Sequence, residues 1–267
     1  MPLSRSHAAV VAKVAFIAAF VVPVNTFAQK PAMPAVHNIV LVHGAWADGS
    51  SWSKLIPLLE AKGLHVVCVQ NPLTSLADDV AATKRAIDAQ DGPVLLVGHS
   101  YGGVVITEAG TNDKVAGLVY VAAFAPDKGE SAGSEGKPYG PTPGIGELRP
   151  IGDGFLVLTP KGVEEDFGPD LSAAERSILT ATQTPTQGAA LGATVTLPAW
   201  RTRPTWFIVA ANDRMIAPDQ ERASAKLMKA KTLTLQSCHV PMLSRPSEVA
   251  EFIIDAAQGT TAVADTH

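Results

Sequence analysis

From residue 38 onward, short continuous apolar runs alternate along the chain with segments of helical periodicity. The runs are rich in Val, Ile and Leu, which is typical of strands buried on both faces of a sheet. Regular alternation of such runs with helices indicates a parallel sheet joined by crossover helices. The pattern predicts an α/β fold with a mostly parallel sheet of about six strands, at 38–43, 64–70, 93–98, 115–122, 205–210 and 231–236.

The intervening segments predict flanking helices at 51–61, 75–90, 101–110, 218–229 and 247–257, with Ser75 as an N-cap. The alternation stops between 126 and 198, where Gly and Pro are frequent and one helix is predicted near 172–182. An excursion of this length from a compact α/β domain is usually a cap or lid. The predicted organisation is a core in two parts, 29–125 and 199–258, around an inserted cap at 126–198, followed by a disordered tail at 259–267.

The first 28 residues have the pattern of an export signal. Arg5 and Lys13 are their only charges, an apolar run covers 14–22, and small residues around Ala28 suit a signal peptidase. The run is short for a transmembrane helix and Pro23 follows it closely, so a retained anchor is the weaker interpretation. We expect a periplasmic or secreted protein, cleaved near Ala28, without membrane integration.

Charge and cysteine content narrow the possible partners. The formal net charge is −4, and removing the leader would leave 19 Lys and Arg against 25 Asp and Glu. Basic residues do not cluster, so nucleic acid is not an expected partner. Cys68 and Cys238 are the only cysteines, and the strand assignments place them far apart, which predicts free thiols.

A nucleophile motif follows the third predicted strand. Gly98-His99-Ser100-Tyr101-Gly102 is a G-x-S-x-G sequence between a strand and a helix. A serine nucleophile in this setting needs a sharp turn that lifts its hydroxyl above the sheet, and flanking glycines remove clashing β-carbons. Ser100 is therefore the predicted nucleophile, the alternative being a packing turn with an inert serine.

A serine needs a base to take its proton and a carboxylate to orient that base. His239 follows the last predicted strand and is the histidine best placed to act as the base. Asp213 follows the strand before it and is the preferred acid. Asp127, after the fourth strand, is the rival candidate.

The developing oxyanion needs backbone N–H donors. The amide of Tyr101, at the start of a helix, is one candidate. The amide of Ala45, in the loop after the first strand, is the second, and Gly44 would allow close backbone approach.

These motifs resemble the α/β-hydrolase superfamily, and within it the family of plant hydroxynitrile lyases, methyl salicylate and methyl jasmonate esterases and related bacterial esterases. The resemblance runs from about residue 38 to 257 and is loosest in the cap. It rests on HGAWADGSSW (43–52), GHSYGG (98–103), VYVAAFAPDKGES (119–131), ANDRMI around Asp213 and HVPMLSRP (239–246). It implies the same roles for Ser100, His239 and Asp213, and the same oxyanion donors.

Two departures separate this chain from the lyases. They carry a threonine where this chain has Gly44 and a lysine where it has Val240. An esterase needs neither, because water can attack the acyl-enzyme with the histidine as base. We therefore expect a serine hydrolase that cleaves carboxylic esters and needs no cofactor or metal.

The expected substrate is a small to medium apolar ester. Predicted pocket walls are Trp46, Tyr101, Phe124, Val240 and Met242, with cap residues near 155–158 and Phe167. A lactonase, a lyase and a ligand-binding receptor on the same scaffold remain alternatives. The sequence indicates neither the physiological substrate nor the oligomeric state.

Overall fold

A computed structural model describes Met1 and residues 36–263. The predicted signal peptide, apart from Met1, lies outside the described residues, as does the end of the tail from residue 264. Nine strands occur among the described residues: β1 Asn38–Val42, β2 His65–Val69, β3 Val94–Ser100, β4 Val115–Ala123, β5 Leu148–Gly152, β6 Phe155–Leu158, β7 Thr186–Gln187, β8 Thr205–Ala210 and β9 Lys231–Leu235.

Ten α-helices occur in the same part of the chain. They are α1 Ile56–Glu60, α2 Leu76–Asp88, α3 Gly102–Ala109, α4 Ala132–Gly136, α5 Pro160–Gly162, α6 Ala173–Thr182, α7 Gly188–Gly192, α8 Pro218–Leu227, α9 Pro241–Ser244 and α10 Pro246–Val263. Short 3-10 turns cover Gly49–Trp52, Lys137–Tyr139, Gly144–Glu147 and Ala199–Arg201, and one π-helical turn covers Val163–Phe167.

The main sheet has six parallel strands in the order β2-β1-β3-β4-β8-β9, which confirms the predicted fold class. Strands β1, β3 and β8 are buried along their whole length, as continuous apolar runs require. The chain moves outward from β1 to β2 and then returns to β3 on the other side. The strand order therefore reverses between β1 and β3, and in open parallel sheets ligands bind beyond the carboxyl ends of the strands at this point.

Two predicted boundaries are wrong. The helix predicted for 51–61 is interrupted, because Pro57 has no N–H to donate to a preceding turn, and α1 begins only at Ile56 with Pro57 in its first turn. The closing helix α10 runs to Val263, so residues 259–263 are helical rather than part of a disordered tail. Thr260 is buried there, and its hydroxyl donates to the Ala257 carbonyl at 2.8 Å.

The segment 126–198, here named the cap segment, contains more regular structure than its Gly and Pro content predicted. The helix predicted near 172–182 is present as α6, capped by Ser172. In addition, β5, β6 and β7 form a small antiparallel sheet. Asp153 and Gly154 join β5 to β6 with positive φ angles of 50° and 79°, a conformation that an Asp-Gly pair adopts readily.

Both cysteines are free, as predicted, and burial raises the pKa of each thiol to about 11. Within residues 36–263, none of the helices combines the length and apolarity needed to cross a bilayer.

A buried carboxyl joins α4 to the core. Glu135 accepts hydrogen bonds from the Ala125 amide at 3.0 Å and from the Ser224 hydroxyl of α8 at 2.6 Å. Burial is the largest influence on this carboxyl and raises its pKa to about 7. The folded state therefore holds a proton that the unfolded chain has already released, and the resulting stabilisation is lost as pH rises from the unfolded pKa of 4.5 to about 7.

The Glu135→Gln variant tests this contribution, since an amide can accept the same two hydrogen bonds without titrating. We expect the free energy of unfolding of the wild type to fall relative to the variant between about pH 5 and pH 8, by about 3 kcal/mol at most. Urea denaturation at a series of pH values measures the difference. The exposed Glu251→Gln is the matched control, and parallel wild-type and Glu135→Gln curves would contradict the prediction.

Candidate active site

Ser100 ends β3 in a strained conformation at the carboxyl edge of the sheet. Its φ is +54°, in the left-handed region that non-glycine residues rarely adopt. A β-carbon on Gly98 would lie 2.6 Å from the Gly102 carbonyl oxygen, so the turn requires glycine there. The Phe124 amide donates to the Ser100 carbonyl at 3.2 Å and holds the turn against the end of β4. The G-x-S-x-G sequence therefore forms the predicted arrangement, in which strand β3 is followed by a sharp turn and then by helix α3.

The structure brings His239 and Asp213 into direct contact. The His239 Nδ1–H donates to Asp213 Oδ2 at 2.6 Å, and both side chains are buried. Asp213 Oδ1 accepts from the amides of Met215 at 2.6 Å and Ile216 at 2.9 Å. The loop after β8 thereby fixes the carboxylate, and the carboxylate fixes the imidazole with Nε2 as its unprotonated nitrogen.

A second carboxyl lies behind Asp213. Glu221 of α8 is fully buried; one carboxyl oxygen accepts from the Ala210 amide at 2.8 Å, and the other has no hydrogen-bond partner among the described residues. Burial, followed by the charge of Asp213, raises the pKa of Glu221 well above its usual range. Burial beside Asp213 therefore favours the uncharged form of Glu221. The position of Glu221 behind Asp213 is not predictable from sequence, because a glutamate in the first turn of a helix usually complements the helix dipole.

The rival acid Asp127 is engaged elsewhere. Its two carboxylate oxygens accept from the Arg201 guanidinium, with Oδ1 2.8 Å from Nε. These hydrogen bonds from Arg201 hold the pKa of Asp127 below its usual range. Of the two candidate acids, only Asp213 contacts His239.

Two neutral histidines shape the backbone around the site. Burial lowers the pKa of His99 well below its usual value, and its Nε2–H donates to the His239 carbonyl at 2.8 Å. The residue next to Ser100 thus anchors the backbone of His239, and the two imidazole rings lie 4.7 Å apart. His43 is also buried with a lowered pKa, and its Nε2 accepts from the Asn71 amide at 2.9 Å.

A cavity of about 440 Å³ opens in front of Ser100. The predicted residues Ala45, Trp46, Tyr101 and Phe124 line it together with Ser100. Most other lining side chains are apolar and come from the cap segment and the loop after β8: Ala132, Ile145, Leu148, Leu191, Met215 and Ile216. Polar groups are few, and Lys137, Thr142 and Gln220 are the larger ones.

The remaining predicted pocket residues do not line this cavity. Val240 and Met242 are completely buried in the core, because the chain turns inward after His239 into the short helix α9. Phe167 packs behind the site, with its ring 5.1 Å from that of His239. The 155–158 segment forms β6 and contributes a backbone carbonyl rather than a wall: the Trp46 indole donates to Leu156 at 3.1 Å.

Gly44 lies against the sharp turn 98–102 around Ser100, here named the elbow. A β-carbon at this position would be 2.6 Å from the Ser100 β-carbon and 3.0 Å from the His99 carbonyl oxygen. The loop after β1 and the turn after β3 can therefore touch only because residue 44 has no side chain.

A parallel sheet with a serine elbow after β3, an acid after β8 and a histidine after β9 defines an α/β-hydrolase arrangement. A model of the alpha/beta hydrolase family matches residues 39–252. The chain belongs to the alpha/beta hydrolase family.

Comparison with individual proteins agrees with the predicted resemblance. The chain is 28% identical to a pyrethroid hydrolase of Sphingobium wenxiniae over 83% of this chain and 88% of that protein. It is 36% identical to salicylic acid-binding protein 2 of Nicotiana tabacum over 34% of this chain and 40% of that protein. The crystal structure of polyneuridine aldehyde esterase superposes with a TM-score of 0.73 at 21% identity, covering 82% of this chain and 98% of that chain, which shows the shared fold.

Substitution of Gly44 tests the contact with the elbow. Gly44→Ala is expected to lower the free energy of unfolding by about 1–3 kcal/mol, because two buried backbone segments must separate. Gly146→Ala is the matched control, since a β-carbon there meets nothing within 4 Å. Urea denaturation of both variants measures the effect, and equal midpoints would refute the close contact.

Proposed function

We propose that this chain is a carboxylesterase-type serine hydrolase in which Ser100 is the nucleophile, His239 the base and Asp213 the acid. The observation that carries the proposal is the buried hydrogen bond between His239 and Asp213, at the sheet edge where the Ser100 elbow opens on an apolar cavity. This is the arrangement of groups that a serine needs to attack a carbonyl carbon.

The reaction divides into two steps. Ser100 Oγ attacks the ester carbonyl and His239 Nε2 takes the hydroxyl proton, while Asp213 stabilises the imidazolium. The tetrahedral intermediate collapses, His239 returns that proton to the leaving alcohol, and an acyl-enzyme remains. Water then attacks the acyl carbon with His239 as base, and the acid leaves as Ser100 recovers its proton.

The negative charge on the carbonyl oxygen needs donors that are already in position. The amides of Ala45 and Tyr101 fill this role: both residues line the cavity beside Ser100, and Tyr101 precedes helix α3. Loss of one such donor costs about 3 kcal/mol of transition-state stabilisation.

The cavity favours small to medium apolar esters. Its walls are mainly aliphatic and aromatic, so the acyl or alcohol group gains from leaving water. The relatives support ester cleavage, since their names include a pyrethroid hydrolase, a carbendazim hydrolyzing esterase and several methylesterases.

Two positions argue against lyase chemistry. Residue 44 lies too close to Ser100 for a threonine without rearrangement, and residue 240 is a completely buried valine where the lyases place a lysine. Neither the hydroxyl nor the positive charge that the family's lyases use has an equivalent at these positions.

Labelling with a serine-directed fluorophosphonate tests the proposal. Wild-type protein is expected to be labelled and to hydrolyse short-chain nitrophenyl esters, whereas Ser100→Ala loses the label and at least a thousandfold of the activity, roughly the effect of removing a triad member. Ser134→Ala, an exposed serine in α4, is the control and should behave as wild type.

The same preparation separates the alternatives. Turnover of aryl and lactone esters divides an esterase from a lactonase, and cyanide release from mandelonitrile would identify a lyase. Ligand binding without labelling of either protein would support a receptor and contradict the proposal.

We also propose that the chain is exported and cleaved near Ala28, on the basis of the charges, apolar run and small residues of its first 28 positions. Expression of the full chain in a Gram-negative host, followed by mass spectrometry of the periplasmic fraction, is expected to give a new N-terminus close to Gln29. Recovery of uncleaved protein from the cytosol alone would refute export.

A further inference from the structure

We propose that a chain of hydrogen bonds through Asp79, Leu73 and the cap strand β7 fixes the two oxyanion donors relative to one another, so that Asp79 and Thr186 are positioning residues. This inference rests on the proposed function. The series of hydrogen bonds starts from Tyr101 at the elbow and ends at Trp46 in the loop after β1.

The first part of this series of hydrogen bonds holds Tyr101, the residue that follows the proposed nucleophile. The Tyr101 hydroxyl donates to Asp79 Oδ2 at 2.9 Å, and both residues are buried. Burial and the neighbouring carboxylate raise the pKa of Tyr101, so this hydroxyl remains a donor. Because the far end of the ring is fixed to α2, Tyr101 cannot rotate away from the elbow.

The second part passes through a strained residue. Asp79 Oδ1 accepts from the Leu73 amide at 2.8 Å, and the Leu73 carbonyl accepts from the Gln187 amide at 2.8 Å. Leu73 is completely buried with a φ of +56°, an unfavourable conformation for a leucine. The two hydrogen bonds, one on each side of this residue, hold it in place and connect α2 to the cap segment.

The third part reaches the loop that carries Ala45. The Trp46 amide donates to the Thr186 hydroxyl oxygen at 3.1 Å, and the Trp46 indole donates to the Leu156 carbonyl at 3.1 Å. Leu156 and Thr186 are direct partners in the cap sheet. Trp46 also has a positive φ of 55°, so the two hydrogen bonds that it donates to this pair of cap residues stabilise an unfavourable backbone conformation.

These contacts give the cap segment a role besides forming walls of the cavity. An oxyanion hole works because its donors already point to the place where charge develops, and a small displacement removes much of the effect. One donor follows β3 and the other follows β1, and the hydrogen bonds described here join them through groups outside the cavity.

Removal of one group at each end tests the connection. Tyr101→Phe deletes the hydroxyl but keeps the amide, and Thr186→Val deletes the acceptor at nearly constant volume. We expect each variant to lose about tenfold in kcat with KM within twofold of wild type. The affinity for a trifluoromethyl ketone, which forms an oxyanion on Ser100, should fall by a similar factor.

The double variant decides whether the two ends act together. If they are connected, the fold-loss in kcat of the Tyr101→Phe/Thr186→Val double variant should be clearly smaller than the product of the two single fold-losses. The reason is that the first substitution already breaks the series of hydrogen bonds. Thr186→Ser should restore most of the rate lost in Thr186→Val, and the exposed Thr182→Val is the matched control. All rates are divided by the number of fluorophosphonate-reactive sites, which removes the effect of unfolded protein.

Several results would overturn the inference. A kcat per reactive site within twofold of wild type in both single variants would mean that the contacts serve only folding. Changes in KM alone, or single effects that multiply fully, would equally contradict a connected unit. A wild type that is neither labelled nor active on esters refutes the proposed function, and the inference falls with it, whereas an active wild type with unaffected variants refutes the inference alone.

Discussion

The reversal of the chain at Ser100 is the constraint on which the rest of the site depends. A serine with positive φ costs free energy, and it persists only where the surroundings enforce it. Here the enforcement comes from contacts that tolerate almost no added volume, at Gly98 within the turn and at Gly44 across from it. Strand β3 lies in the middle of six parallel strands, so the strain is held by the most deeply buried part of the fold.

Buried polar groups around His239 are also held in place by their surroundings. Removing a carboxylate from water is costly unless donors surround it. The Asp213 carboxylate has backbone amides on one oxygen and His239 on the other. The His99 side chain, kept neutral by burial, holds the His239 backbone without adding a second charge. Both oxygens of Asp213 and the backbone carbonyl of His239 are therefore held by specific hydrogen-bond partners.

Much of this could be predicted from the sequence, for physical reasons. Strands buried on both faces give continuous apolar runs, and an elbow serine requires glycines at fixed spacing, so the sheet and the positions of Ser100, Asp213 and His239 could be inferred. Val240 and Met242 were misplaced because apolar side chains next to the proposed base suit a pocket and a core equally well. Thr186 and Asp79 were missed because their partners lie far away in sequence. By contrast, the Asp153-Gly154 hairpin carried a local signal that the Gly and Pro content of the cap obscured.

The pairing of Trp46 with two cap residues bears on how new specificities could arise in this scaffold. Exchange of the cap between relatives is an obvious route to a differently shaped pocket. In this chain, a transplanted cap would also have to supply a carbonyl for the indole and a hydroxyl for the amide of Trp46. Sequence changes in the parts of the cap segment that face the cavity leave these two acceptors in place, whereas changes that disrupt the pairing of β6 with β7 remove them.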